Sequence, residues 1–203
     1  MYRRSFWQIL ITCALLVSVQ GCATTDRRVN LLYQPTANVK GGSGTVYLVQ
    51  GVRSASRQAA GIQWILGSIT KSSGEKSGNV VTDTAPANLA MDALKQELKS
   101  AGYNIVQSEA MPAGARKGVL LHEVSLKLDE KSGVVSDEAN CSVRMSLQPW
   151  RNGKPVDRLS YEAEYSETAV TDRDLLLSKT LQTALQLVMK RSVPEVVNVL
   201  EKH

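Results

Sequence analysis

The side chains with reactivity to spare are few: cysteines at 13, 22 and 141, and histidines at 122 and 203. Neither set is spaced for metal or nucleophilic chemistry, because the chain has no HExxH, no paired CxxC and no GxSxG. Gly41-Gly42-Ser43-Gly44 lacks the lysine and the helix start that a phosphate cradle requires. His122 alone cannot make a histidine site. It alternates with Leu120, Val124, Leu126 and Leu128, which puts it on the apolar face of a strand as a hydrogen-bonded core histidine. Glu162 and Glu164 share one strand face, as glycosidase carboxylates would, but they alternate with Tyr161 and Tyr165 and read as a solvated face. No catalytic residue, metal ligand or cofactor site is expected, and the chain reads as non-enzymatic.

Cys22 is the exception. Arg3 and Arg4 form a short positive region, Phe6 to Val19 an apolar run too short for a comfortable membrane span, and Gly21 the small residue before a cut. That is the layout of a removable export signal over residues 1–21. Val19-Gln20-Gly21-Cys22 resembles the lipobox of bacterial lipoproteins. The resemblance implies peptidase cleavage between Gly21 and Cys22, and a diacylglyceryl thioether, with its fatty chains, on Cys22. A plain signal peptide beside a chance cysteine is the competing reading. A retained N-terminal anchor fits less well, because polar Thr24-Thr25-Asp26-Arg27-Arg28 follows at once. Several acyl chains give stable anchoring where one gives little. Ala23, where aspartate would signal inner-membrane retention, implies the outer membrane by resemblance to enteric lipoprotein sorting.

Loss of 21 residues from 203 leaves 182, enough for one domain with its own core. The formal charge of +5 falls to +3 with Arg3 and Arg4, and the remaining lysines sit among acids. That is a solvated surface, and nucleic acid is not an expected partner. With Cys13 removed and Cys22 acylated, Cys141 is left without a partner for an intrachain disulfide; its alternation with Val143, Met145 and Leu147 makes it a small buried hydrophobe.

The elements that must carry such an anchor follow in order. Residues 22–44 read as a lipidated flexible tether ending in the Gly/Ser cluster, with Val29-Asn30-Leu31-Leu32-Tyr33 as an apolar patch able to dock as an edge strand. Residues 45–203 read as one domain. Thr45–Gln50 is β-rich, and Gly61–Ile69 is either a strand or a lipid-facing loop. Trp64, Ile65 and Leu66 in that segment are candidate partner or lipid contacts. Residues 70–82 are polar and Gly/Ser-rich, which predicts a mobile loop. Thr84 is a candidate cap for a helix over 85–101, with Pro86 at its start, an apolar stripe of Ala87, Met91, Leu94, Leu98 and Ala101, and Gly102 as its stop. Tyr103–Val106, Val119–Leu128, Ala139–Gln148 and the alternating stretch from Leu159 to Ser166 read as strands, with a tight turn at Asn152-Gly153. Thr171 is a candidate cap for a helix over 172–191 that Pro194 interrupts before a further turn or two at Val196–Leu200. The expected fold class is α+β: a two-layer sandwich, mainly antiparallel sheet, with two or three helices packed on one face.

Val29-Asn30-Leu31-Leu32-Tyr33-Gln34-Pro35 after the cysteine, and Ala93–Tyr103 in the helix, give an order of parts similar to the YajG-type lipoproteins of Gram-negative envelopes. The resemblance spans most of the mature chain and carries no catalytic signature. It implies an outer-membrane-anchored, periplasm-facing lipoprotein that binds an envelope protein or lipid in assembly or maintenance of the envelope. The alternative is a lipid-handling accessory of an ABC-type transport or lipopolysaccharide-assembly system, which requires an apolar groove between helices and sheet.

Overall fold

The computed structural model describes residues 25–51 and 63–202. Two long strands, β6 (Lys117–Ser132) and β7 (Asp137–Arg151), pair antiparallel along their whole length, from Lys117 opposite Arg151 to Ser132 opposite Asp137. β9 (Leu159–Ala169) adds antiparallel to the far edge of β7, after the small β8 (Lys154–Pro155). The near edge of β6 is shared. Its first residues pair in parallel with β2 (Thr45–Gln50), and its last with β3 (Trp64–Lys71). From there the sheet forks. β2 continues to β5 (Asn104–Ser108) in parallel, while β3 continues to antiparallel β4 (Lys76–Thr82) and then to β1 (Arg27–Arg28). Gly67 permits the close approach at the fork, since any Cβ there would collide with the Leu128 carbonyl.

Two helices among the described residues, α1 (Pro86–Ala101) and α2 (Arg173–Glu201), pack beside one another on one face of this sheet. The α+β layout expected from the sequence holds, in a mixed sheet whose long meander is antiparallel. The alternation in β7 holds too: Cys141, Val143, Met145 and Leu147 all face inward and are fully buried. Burial pushes the Cys141 thiol up to about 12, so it stays protonated and unreactive at neutral pH.

The expected stripe of α1 is buried throughout, and Gly102, at φ 113°, closes the helix with its N–H on Lys99 O while Tyr103 N–H reaches Leu98 O. Thr84 is not its cap; Ala85 occupies that position without a side-chain bond. Asp172, not Thr171, precedes α2, and again no side chain caps the helix.

Three other expectations are corrected. α2 does not break at Pro194 but runs through it for 29 residues. Pro194, Lys190 and Arg191 face solvent, where water can satisfy the freed Lys190 carbonyl, while Val193, Val196, Val197 and Leu200 are buried and hold the last turns on the core. The 70–82 stretch is no mobile loop. It turns at 72–75 and returns as β4, hydrogen-bonded on both edges, with Val80 and Val81 in the core. His122 and Leu120 lie off the apolar face. A β-bulge between Leu121 and Glu123 reverses the parity of β6, so Val119 and Leu121 point inward before it and Val124, Leu126 and Leu128 after it. His122 is half-buried on the outer face, its Nε2 donating to Gln148 Oε1 at 2.8 Å.

Leu98 is fully buried between α1 and the sheet. Leu98→Ala should therefore destabilise the domain by about 2–5 kcal/mol, read from denaturation midpoints; an unchanged midpoint would remove Leu98 from the core.

Candidate anchor site and the strap behind it

Gly21, Cys22 and the expected export signal over residues 1–21 lie outside the described residues, and the structure begins with the chain that follows them. Thr25 is already tied down. Its N–H donates to Ser77 O at 3.1 Å, and its backbone runs so close to Gly78 that a Cβ there would strike the Thr25 carbonyl. Asp26 Oδ1 accepts from the Asn79 N–H at 2.8 Å and from Asn79 Nδ2 at 3.0 Å. Arg27 and Arg28 then form β1 beside β4, and Val29 N–H bonds Val81 O at 2.8 Å with its side chain in the core. The composition of 22–44 predicts a flexible tether; from residue 25 onward the chain is instead a strap fastened to the domain. Backbone bonds from β4 and a buried Val29 outweigh the freedom that its Gly and Asn content suggests.

Beyond Val29 the strap crosses both helices. Glu97 of α1, only 2% exposed, accepts from Tyr33 Oη at 2.6 Å, from the Thr36 N–H at 2.7 Å and from the Ala37 N–H at 3.1 Å. Burial first, and then this bond to Glu97, push the Tyr33 phenol well above its usual pKa. Gln186 of α2 donates to Gln34 O at 3.0 Å. At the far end the Ser43 N–H meets Glu201, which Lys117 also holds at 2.7 Å. Burial works to raise the Glu201 carboxyl, but hydrogen bonds led by that from Lys117 outweigh it and hold the group below the usual carboxylate range.

A second cluster lies where the strap begins. Glu130 and Asp137, on neighbouring strands, are both buried. Arg27 approaches Glu130 at 2.7 Å and Asp137 at 3.6 Å, and Arg173 of α2 reaches Asp137 at 3.4 Å. Asp137 also accepts from Ser132 Oγ and the Gly133 N–H, both at 3.1 Å. Arg173 donates further to the carbonyls of Gly133, Val134, Val135 and Val170. One guanidinium thus pins the β6–β7 turn to the start of α2.

None of Glu97, Glu130, Asp137, Arg27 and Arg173 was singled out by the sequence reading, yet three carry a signal. Glu97 falls on the apolar stripe between Leu94 and Leu98. Glu130 continues the inward alternation of Val124, Leu126 and Leu128, and Asp137 that of Ala139 and Cys141. A carboxylate on a buried face needs a partner. Of the candidate contacts, Leu66 lies in the core at 3% exposure, while Trp64 and Ile65 are half-buried where β3 meets Thr82 and Val81 of β4. The structure does not bring these three together as one surface. A cleft of about 430 Å³ opens near the ends of β2 and β5, lined by Leu48, Gln50, Met91, Gln107, Ser108 and Glu109. Its rim mixes amides, a hydroxyl and a carboxylate with two apolar side chains.

No family description and no curated protein matches the sequence. Among solved structures, the fold is similar to that of a Xanthomonas campestris protein described under family DUF330. The TM-score is 0.54 at 10% identity, over 86% of this chain and 95% of that one. The likeness is one of fold. An uncharacterized protein superposes with a TM-score of 0.39 at 5% identity, over 86% of this chain and 99% of its own. A minor lipoprotein from Acinetobacter baumannii gives 0.34 at 11% identity, over 66% of this chain and 88% of that one. The YajG-type layout is not carried by these likenesses.

Glu97→Ala leaves three strap donors without their acceptor and should cost about 3 kcal/mol locally. Tryptic cleavage after exposed Lys40 should then accelerate by one to two orders of magnitude, while Glu97→Gln keeps part of the protection; equal rates for all three proteins would show that the strap is held elsewhere.

Burial raises the Glu130 carboxyl above its ordinary range; the Arg27 charge lowers it in part, and Asp137 adds to the rise. Stability linked to a raised acid is present below its unfolded pKa and is lost as pH climbs through the folded one. Glu130→Gln should therefore melt higher than wild type at pH 7, and the gap should close towards pH 4. A variant less stable at pH 7 would mean that the ion pair with Arg27 dominates.

Proposed function

We propose that this chain is a non-enzymatic lipoprotein of the outer membrane, facing the periplasm and held by acyl chains on Cys22, which acts by binding an envelope partner. The observation that carries this reading is a spacing. A lipobox cysteine at position 22 stands three residues before Thr25, where the folded domain is already fastened to β4. Three Cα steps of about 3.8 Å place the thioether within roughly 11 Å of the domain. A lipid there holds the domain against the bilayer. Among the described residues no helix is long and apolar enough to cross a membrane.

The buried carboxylates favour a structural assignment, since Glu97 serves the strap and Asp137 the β6–β7 turn. What remains for a partner is the sheet face without helices. There Ser125, Lys127, Arg144, Glu162 and Glu164 point outward, and Arg144 pairs with Glu162 at 2.9 Å. Such a face, polar and charged, suits a polar protein surface better than an apolar ligand.

Cells bearing a photoreactive side chain at exposed Glu164 test both halves. The protein should fractionate with the outer membrane and yield one discrete cross-linked species on illumination. Cys22→Ala should appear in the soluble periplasmic fraction or as unprocessed precursor. A Cys22→Ala protein that still fractionates with the outer membrane defeats the anchor, and an absence of any discrete adduct defeats the partner face.

A further inference from the structure

Four of the large apolar side chains most open to solvent gather at one end of the molecule. Val134 and Val135, 93% and 72% exposed, cap the β6–β7 turn; Val170 and Leu175, 63% and 53% exposed, flank the start of α2. Their exposure is built into the fold. Arg173 holds the backbone carbonyls of residues 133, 134, 135 and 170, and Asp137 holds the Ser132 hydroxyl and the Gly133 N–H. The polar backbone of both turns is thereby satisfied internally, and the aliphatic side chains are left facing out. Clustered exposed hydrophobics on a fixed frame mark a contact surface.

The chain itself says what that surface faces. The β3–β4 turn lies beside the tip, with the Ser72 N–H on Ser132 O, and Thr25 lies on the next strand over through Ser77. At about 4.8 Å per strand, Thr25 lies some 15 Å from the β6–β7 turn, and Cys22 lies within roughly 11 Å of Thr25. Lys76 and Lys131, both exposed, stand between them. The opposite end of the sheet, at the Asn152-Gly153 turn, is removed by the 15 residues of β7.

We propose that the tip formed by Val134, Val135, Val170 and Leu175 rests on the phospholipid bilayer that holds the Cys22 acyl chains. The valines and Leu175 enter the headgroup boundary, and Lys76 and Lys131 meet lipid phosphates. β6 and β7 then stand away from the membrane and lift the Asn152-Gly153 turn into the periplasm. This orientation rests on the anchor reading above.

The test uses the lipidated protein in phosphatidylethanolamine–phosphatidylglycerol vesicles, with a polarity-sensitive fluorophore at Val135→Cys, at Leu175→Cys or at Lys154→Cys. Cys141 is buried and does not compete for label. Mass measurement of the mature amino terminus comes first. With an acylated terminus, nitroxide-bearing lipids should quench the Val135 and Leu175 labels at least twofold more than the Lys154 label, and aqueous iodide should show the reverse order. Equal quenching at all three positions overturns the surface and leaves the anchor standing. An unacylated terminus overturns the anchor, and the proposal with it. Shielding of Val135 that appears only when envelope proteins are added, and never in lipid alone, assigns the tip to a protein and overturns the bilayer as its occupant.

Discussion

A carboxylate set into the apolar stripe of a helix must be answered by donors, because an unpaired charge in that position costs more than any packing around it returns. Glu97 occupies such a position on α1, and its donors come from a segment about sixty residues away: the Tyr33 hydroxyl and the backbone of residues 36 and 37. That requirement draws the chain between β1 and β2 across both helices. Where the N-terminal end of the domain emerges is set by the bonds of Thr25 and Val29 to β4. The strap is fastened first at β4, then at Glu97, then at Glu201, so it has little freedom to peel away from one point without loading the next.

The same logic operates at the tip of the long hairpin. Arg27 comes from the strap and Arg173 from the start of α2, and they meet on Asp137, at the point where β6 turns into β7. The N-terminal segment, the hairpin and the C-terminal helix therefore share one charged knot. The valines that project beyond it owe their exposure to a backbone already satisfied from within. Under the proposed function, the acyl chains on Cys22, three residues before Thr25, sit at that same end. On that proposal anchor, knot and apolar tip belong to one surface, while the outward sheet face runs along its side, free of helices.

The forked sheet gives the scaffold its reach. β6 uses one edge for two parallel partners in succession, and the bulge at Leu121–Glu123 turns its inward residues by one position between them. Without that bulge the apolar residues of one half of β6 would face solvent. With it, Leu121 lies opposite Leu147 and Val124 opposite Met145, and one core extends under both branches. His122 and Gln148 occupy the outer side of the bulge, a polar pair on a strand otherwise read as apolar.

Much of this was legible in the residues alone. Period-two alternation located β7 and β9 and the inward side of each. The α1 stripe and Gly102 located that helix and its end, while the motif around Cys22 lies outside the described residues. These features are local: each depends on side-chain periodicity or on one residue's conformational freedom. The tertiary structure decided what depends on distant partners. β4 is a strand because β3 and β1 supply bonds to both its edges, though its own residues read as loop. α2 continues through Pro194 because buried valines beyond it hold the helix on the sheet. The parity of β6, the site of His122 and the docking of residues 25–44 are likewise set across the fold, since pairing register and the burial of Glu97 are properties of two segments together and belong to neither alone.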